Sequence, residues 1–130
     1  MSNSPPRVLL IEDAAMLREI FKHTFTHIGC EIVAEGTTEK AAVELYEKHQ
    51  PDIVFLDIRL AIGDGIDALA EIMSRDPQAY VVMLTVYDDQ KTREKCLDMG
   101  AKHYLIKGRP ADALIRDVKA LLQEFLEPDE

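Results

Sequence analysis

The sequence has little of what would place it outside ordinary globular domains. Its two cysteines, Cys30 and Cys96, fit no metal-ligand spacing and no disulfide framework, so both read as reduced thiols. No apolar stretch approaches the ~20 residues of a transmembrane helix. The start, residues 1–6, is polar and lacks the apolar core of a secretory leader; it reads as a disordered lead-in, and the protein as cytoplasmic with no membrane contact. Internal repeats and low-complexity segments are absent. Positive charge is in deficit: 15 Lys and Arg stand against 24 Asp and Glu, a formal net charge of −9. That excludes a cationic face able to neutralise nucleic-acid phosphates, so no direct nucleic-acid partner is expected. At 130 residues the chain has enough length for one domain with a proper core.

What is present is an alternation of two periods. Apolar runs at 8–11, 32–34, 53–56, 80–85 and 103–107 read as strands, and continuous runs of this kind suit burial on both faces. Helical spacing fills the gaps. Met16, Leu17, Ile20, Phe21, Thr24, Phe25 and Ile28 recur as one stripe, stopped by Gly29. Ala42, Leu45 and Tyr46 follow an N-cap at Thr37 or Thr38. Ile66, Leu69, Ala70 and Met73 end before Pro77, and a polar helix capped by Asp88 or Asp89 carries only Cys96 and Met99 before Gly100. Pro110 suits the first position of a last helix, with Asp112 at its positive end and Leu114, Ile115, Val118, Leu121, Leu122 and Phe125 on its apolar face. Five βα units call for an α/β fold with a parallel sheet covered on both faces. Right-handed crossovers leave few topologies, and a doubly wound five-stranded sheet in the flavodoxin-like order 2-1-3-4-5 is the natural candidate.

The strand ends then read as a set. Strand 1 ends in Glu12-Asp13, strand 3 in Asp57, strand 4 in Thr85 and strand 5 in Lys107. In a parallel sheet all of these emerge on one edge, beside the switch point between strands 1 and 3. Each has a bland explanation: Glu12-Asp13 as acids at a helix N-terminus, Thr85 as strand-end β-branching, Lys107 as a solvated charge. All of them together at one edge are much harder to explain that way. Clustered carboxylates repel one another unless a cation joins them, and a hard divalent ion such as Mg²⁺ suits oxygen ligands. A carboxylate can act as nucleophile and form an aspartyl phosphate, and a lysine with a metal can stabilise a transferring phosphoryl group.

Over roughly Arg7 to Phe125 this ordered set resembles the receiver domain of bacterial two-component response regulators. Asp64-Gly65, and Tyr104 three residues before the lysine, match as well. The resemblance implies a phosphorylation-dependent switch with Asp57 as acceptor from a histidine kinase or phosphotransfer protein. It implies Mg²⁺ held by Asp13 and Asp57, by Glu12 through water and by the Arg59 backbone carbonyl. Thr85 and Lys107 would contact the phosphoryl group, Thr85 and Tyr104 would switch, and helix 4, strand 5 and helix 5 would present the readout to a downstream protein or output domain. Pairing of two copies through that same face is a further possibility. The domain is placed at 7–126, with 127–130 as a tail.

Three positions depart from the family pattern. Gly108 follows Lys107 where proline is usual, so a cis bond is not expected and the loop should be looser. Ala61 replaces the usual proline after the acceptor, and Val86 the usual small residue after Thr85. Arg59 and Tyr87 are bulky enough to slow loss of the phosphoryl group by hindering an in-line water. Apart from its own phosphoryl transfer and slow dephosphorylation, no enzyme activity is expected. A haloacid-dehalogenase-like phosphatase needs a second aspartate two residues after the nucleophile, where Arg59 stands. A flavodoxin-like cofactor binder would offer hydroxyls and glycine where Glu12-Asp13 stand. A receiver-like interaction module that is never phosphorylated is the remaining alternative.

Overall fold

The computed structural model describes residues 4–107 and 111–126. The elements run β1 (Arg7–Ile11), α1 (Ala15–Ile28), β2 (Glu31–Gly36), α2 (Glu39–His49), β3 (Ile53–Asp57), α3 (Gly65–Arg75), β4 (Val81–Thr85), α4 (Gln90–Asp98), β5 (His103–Ile106) and α5 (Ala111–Leu126). The five strands form one sheet in the order β2-β1-β3-β4-β5, every pairing parallel. The expected α/β architecture and strand order are those observed.

Alternation along the strands builds two cores, one on each face of the sheet. Val8, Leu10, Phe55, Val82 and Leu84 pack with Phe21 and Phe25 of α1 and with Leu114, Val118, Leu121 and Leu122 of α5. Leu9, Ile11, Val54, Leu56, Val81 and Met83 pack on the other face with α2 and α3. β3 and β4 are buried at every position, which is why their sequences are continuous apolar runs. β2 lies at the sheet edge and is half exposed, so it extends past the apolar 32–34 core to include Glu31, Glu35 and Gly36. α4 is the exception among the helices: Cys96 is its only buried residue among those described. Burial pushes both cysteine thiols above their usual range, in keeping with inert, reduced groups.

The helix starts on the carboxyl edge are fixed by local chemistry. Thr38 accepts from Ala41 N (3.0 Å), Asp64 from Ile66 N (2.6 Å) and Asp89 from Thr92 N (2.9 Å). Gly29 closes α1 at φ 110°, its N–H donating to the Phe25 and Thr26 carbonyls. α1 differs from the expected stripe. Met16 and Ile20 are exposed, because the buried line runs through Phe21, Thr24 and Phe25, one helical step of rotation away. Pro6, read as the last residue of the lead-in, is buried, and its carbonyl accepts from Glu31 N (2.8 Å). The tail 127–130, Pro110 and the bond to Gly108 lie outside the described residues.

Candidate functional site

The site is assembled where β1, β3, β4 and β5 run out. Glu12 continues the β1–β2 ladder by one residue, its N–H donating to Gly36 O (3.1 Å), and its side chain is fully buried. Glu12 Oε2 also accepts from the N–H of Ala14 (3.1 Å), the N-cap residue of α1, which makes no side-chain cap hydrogen bond of its own. Arg18 reaches back from α1 to donate to the Glu12 carbonyl (2.8 Å) and pairs with Glu35 (3.0 Å). Asp13 is exposed at the mouth of the crevice. Asp57 is the last residue of β3 and is buried. Lys107 follows β5 directly, and its N–H donates to Thr85 O (2.7 Å).

Lys107 Nζ bridges the two buried acids, 2.7 Å from Asp57 Oδ2 and 2.9 and 3.2 Å from the oxygens of Glu12. The other Asp57 oxygen accepts from Arg59 N (3.2 Å). Oxygen atoms of Glu12, Asp13 and Asp57 all lie within 4.8 Å of one another. Burial pushes the Asp57 carboxyl up to about 6, with the Glu12 charge adding and Lys107 and the Arg59 amide opposing. Burial pulls on Lys107 in the opposite sense, toward losing its proton, but its hydrogen bonds to Asp57 and Glu12 outweigh that and hold it above its usual value. The Lys107 ammonium offsets one of three carboxylates, leaving two negative charges in the crevice. That deficit, in an all-oxygen donor set, fits a hard divalent cation such as Mg²⁺.

Thr85 and Tyr104 are joined through a third residue. Thr85 Oγ1 accepts from Tyr87 N (3.0 Å), and the Tyr104 hydroxyl donates to Tyr87 O (2.8 Å). Thr85 and Tyr104 are both buried. The Tyr87 peptide is thus held at both ends, between the end of β4 and the middle of β5. The Arg93 guanidinium lies 4.9 Å over the Tyr104 ring, and burial pushes the phenol up to about 12, so it stays a donor. Arg59, Asp64, Tyr87 and Thr92 are among the residues that line a polar cleft of about 630 Å³ beside the β3–α3 loop. Val86 points outward and is exposed.

The structure therefore brings Glu12, Asp13, Asp57 and Lys107 to one point and links Thr85 to Tyr104, while Val86 is exposed. Sequence reasoning missed the Tyr87 peptide, Arg18 and Arg93. A Thr two residues before a loop N–H is a recognised turn motif and could have pointed to Tyr87; the two arginines had no such signal.

Residues 8–119 match the family model described as the response regulator receiver domain. The chain belongs to the response regulator receiver family. It is 35% identical over 116 residues to the chemotaxis protein CheY of Bacillus subtilis, spanning 89% of this chain and 97% of that one. It is 37% identical over 123 residues to the transcriptional regulatory protein PdtaR of Mycobacterium tuberculosis, spanning 95% of this chain and 60% of that longer one. Among solved structures, a chain of the CheX–CheY–BeF3–Mg complex from Borrelia burgdorferi superposes with a TM-score of 0.84 at 29% identity, covering 92% of this chain and 90% of that one. Receiver domains are phosphorylation-dependent signalling switches of two-component systems that act through kinases and downstream targets, and this chain is one of them. Among the described residues no helix is long and apolar enough to cross a membrane.

Proposed function

We propose that Asp57 is the phosphoryl acceptor and that Glu12, Asp13, Asp57 and the Arg59 carbonyl hold Mg²⁺. The observation that carries this reading is the state of Asp57. Its carboxylate is buried, fixed at one oxygen by Lys107 and at the other by the Arg59 amide, and is one of three acids that leave the crevice two negative charges in excess. An Asp57 oxygen attacks the phosphorus of a phosphohistidine, the P–N bond breaks, and the imidazole leaves with its electron pair and takes up a proton. The product is an acyl phosphate on Asp57. Bound Mg²⁺ supplies positive charge to the crevice and to the transferring phosphoryl group. Lys107 already touches Asp57 and needs only a small shift to follow the new oxygens.

The switch follows from the Tyr87 clamp. A Thr85 hydroxyl that turns to a phosphoryl oxygen gives up the Tyr87 N–H, while Tyr104 still holds the Tyr87 carbonyl. The β4–α4 loop must then re-seat, and the change reaches the α4–β5–α5 face. That face is the readout for a downstream protein or an output domain, and the surface through which two copies would pair. Arg59, Val86 and Tyr87 govern access of water to the phosphoryl group. Catalysis is confined to the domain's own phosphoryl transfer and its slow reversal by water, in the cytoplasm where a kinase donor is found. Labelling with acetyl phosphate and Mg²⁺ tests the assignment: wild type takes up one phosphoryl group and Asp57→Asn none. Full labelling of that variant at another residue would overturn it.

A further inference from the structure

We infer that Glu39, at the start of α2, is a positioning residue for phosphoryl transfer: it clamps the loop that follows the acceptor and carries the Arg59 carbonyl. This rests on the reading of Asp57 as acceptor. The loop from Ile58 to Gly65 leaves β3 and returns to start α3, and its neck is closed by Gly65 N donating to Ile58 O (2.8 Å) and by a bridge pairing Arg59 with Asp64. Its far side is fastened to a different element. Ala61 N donates to Thr37 O (2.9 Å), Glu39 N donates to Ile62 O (3.0 Å), and Glu39 Oε1 accepts from Asp64 N (2.9 Å). Thr38 and Ile62 pair as an isolated parallel bridge.

Glu39 therefore grips the loop twice, once with its amide and once with its carboxylate, on either side of Gly63. Contact there is close. Gly63 sits at φ 89°, and a Cβ added to it would run into the Glu39 side chain. The grip on Asp64 reaches the site in two steps. Asp64 pairs with Arg59, whose N–H fixes one Asp57 oxygen and whose carbonyl is the proposed metal ligand. Ala61 stands where the family's proline would stiffen this loop, so the external clamp takes over a constraint that a proline ring would otherwise provide. Removing a group that orients a metal ligand from outside lowers metal affinity by about tenfold.

The test compares Glu39→Ala with Glu39→Gln in the full chain. Both lose the charge at the α2 N-terminus, but the glutamine keeps an oxygen for Asp64 N–H. The readouts are Mg²⁺ affinity from amide shifts of residues 57–65 and the rate of acetyl phosphate labelling at limiting and at saturating Mg²⁺. Glu39→Ala is expected to bind Mg²⁺ about tenfold more weakly, with its labelling rate recovering as Mg²⁺ saturates, and Glu39→Gln to stay within about twofold of wild type. Should the alanine variant fail to fold, Glu39→Asp, one methylene too short to reach, replaces it with the same expectation. Wild-type Mg²⁺ affinity in the alanine or aspartate variant, or equal loss in Glu39→Gln, overturns the inference. If wild type itself neither binds Mg²⁺ nor takes label, the acceptor reading fails instead.

Discussion

Gly65→Ala is expected to destabilise the domain although it replaces a glycine in a helix with the best helix former. Propensity alone predicts a gain of up to about 1 kcal/mol, most of it from the smaller conformational entropy of the unfolded chain. Geometry reverses the sign. A Cβ on Gly65 would collide with the Asp57 carbonyl oxygen and lie 2.7 Å from Ile58 Cα and 2.8 Å from the Asp57 carbonyl carbon. All three are backbone atoms at the end of a fully buried strand, so no rotamer change relieves the clash. Relief requires α3 to back away, which breaks the Gly65 N to Ile58 O bond and shifts the residue that carries the acceptor. Overpacking of this kind costs about 1–3 kcal/mol and the lost hydrogen bond about 1 more, for a net loss of about 2 kcal/mol after the propensity gain. Urea unfolding followed by circular dichroism measures it as a lower midpoint at unchanged slope. Gly29→Ala is the control: it has the positive φ but open space around its Cβ, so it should lose only about 1 kcal/mol. A Gly65→Ala variant as stable as wild type, with unaltered labelling, would refute the reasoning.

Three further outcomes follow from the same geometry. Asp57 is raised from 3.8 to about 6 in the fold, so its charge costs the folded state: without divalent metal, stability falls as pH rises between about 4 and about 6, by up to about 3 kcal/mol. Asp57→Asn should remove that fall and be the more stable protein at pH 7.5 in EDTA, while Mg²⁺ should stabilise wild type and not the variant; thermal melts across pH would sink this if the two proteins track each other. Tyr104→Phe should cost about 1 kcal/mol by freeing the Tyr87 carbonyl, with faster amide exchange in residues 86–90; unchanged exchange there would mean the clamp is not formed. Arg59→Ala combined with Tyr87→Ala should shorten the lifetime of the phosphorylated state by opening the cleft they line, and an unaltered decay of label would remove both residues from that role.

The fold was legible because its signals are local and agree with one another. Runs such as 53–56, short and rich in β-branched and aromatic residues, suit strands buried on both faces, and the observed caps Thr38, Asp64 and Asp89 sit among residues that favour that role. The four buried or crevice groups Glu12, Asp13, Asp57 and Lys107 were legible because a parallel sheet brings its strand ends to one edge, whatever the side chains. What stayed hidden depends on meetings between loops. Nothing in Glu39, Ala61 or Asp64 says that the β2–α2 and β3–α3 loops hydrogen-bond to one another, and nothing in Tyr87 says that its carbonyl meets a phenol 17 residues on. Met16 and Ile20 misled for a different reason: helical spacing admits two neighbouring apolar stripes, and only packing against α5 and the sheet chooses between them.

α3 is anchored by four buried residues, Gly65, Ala68, Leu69 and Ile72, whereas α4 among its described residues has Cys96 alone. Burying one small side chain contributes about 1–2 kcal/mol, so α4 rests on a shallow minimum. Reversing a 1:99 equilibrium takes about 5.5 kcal/mol, the scale of a few charge-assisted hydrogen bonds from a phosphoryl group. A helix held as α3 is held would absorb such a signal without moving. Under native-state hydrogen exchange, α4 is accordingly the helix expected to open first, and its weak seat is what lets so small a chemical event change the shape of the molecule.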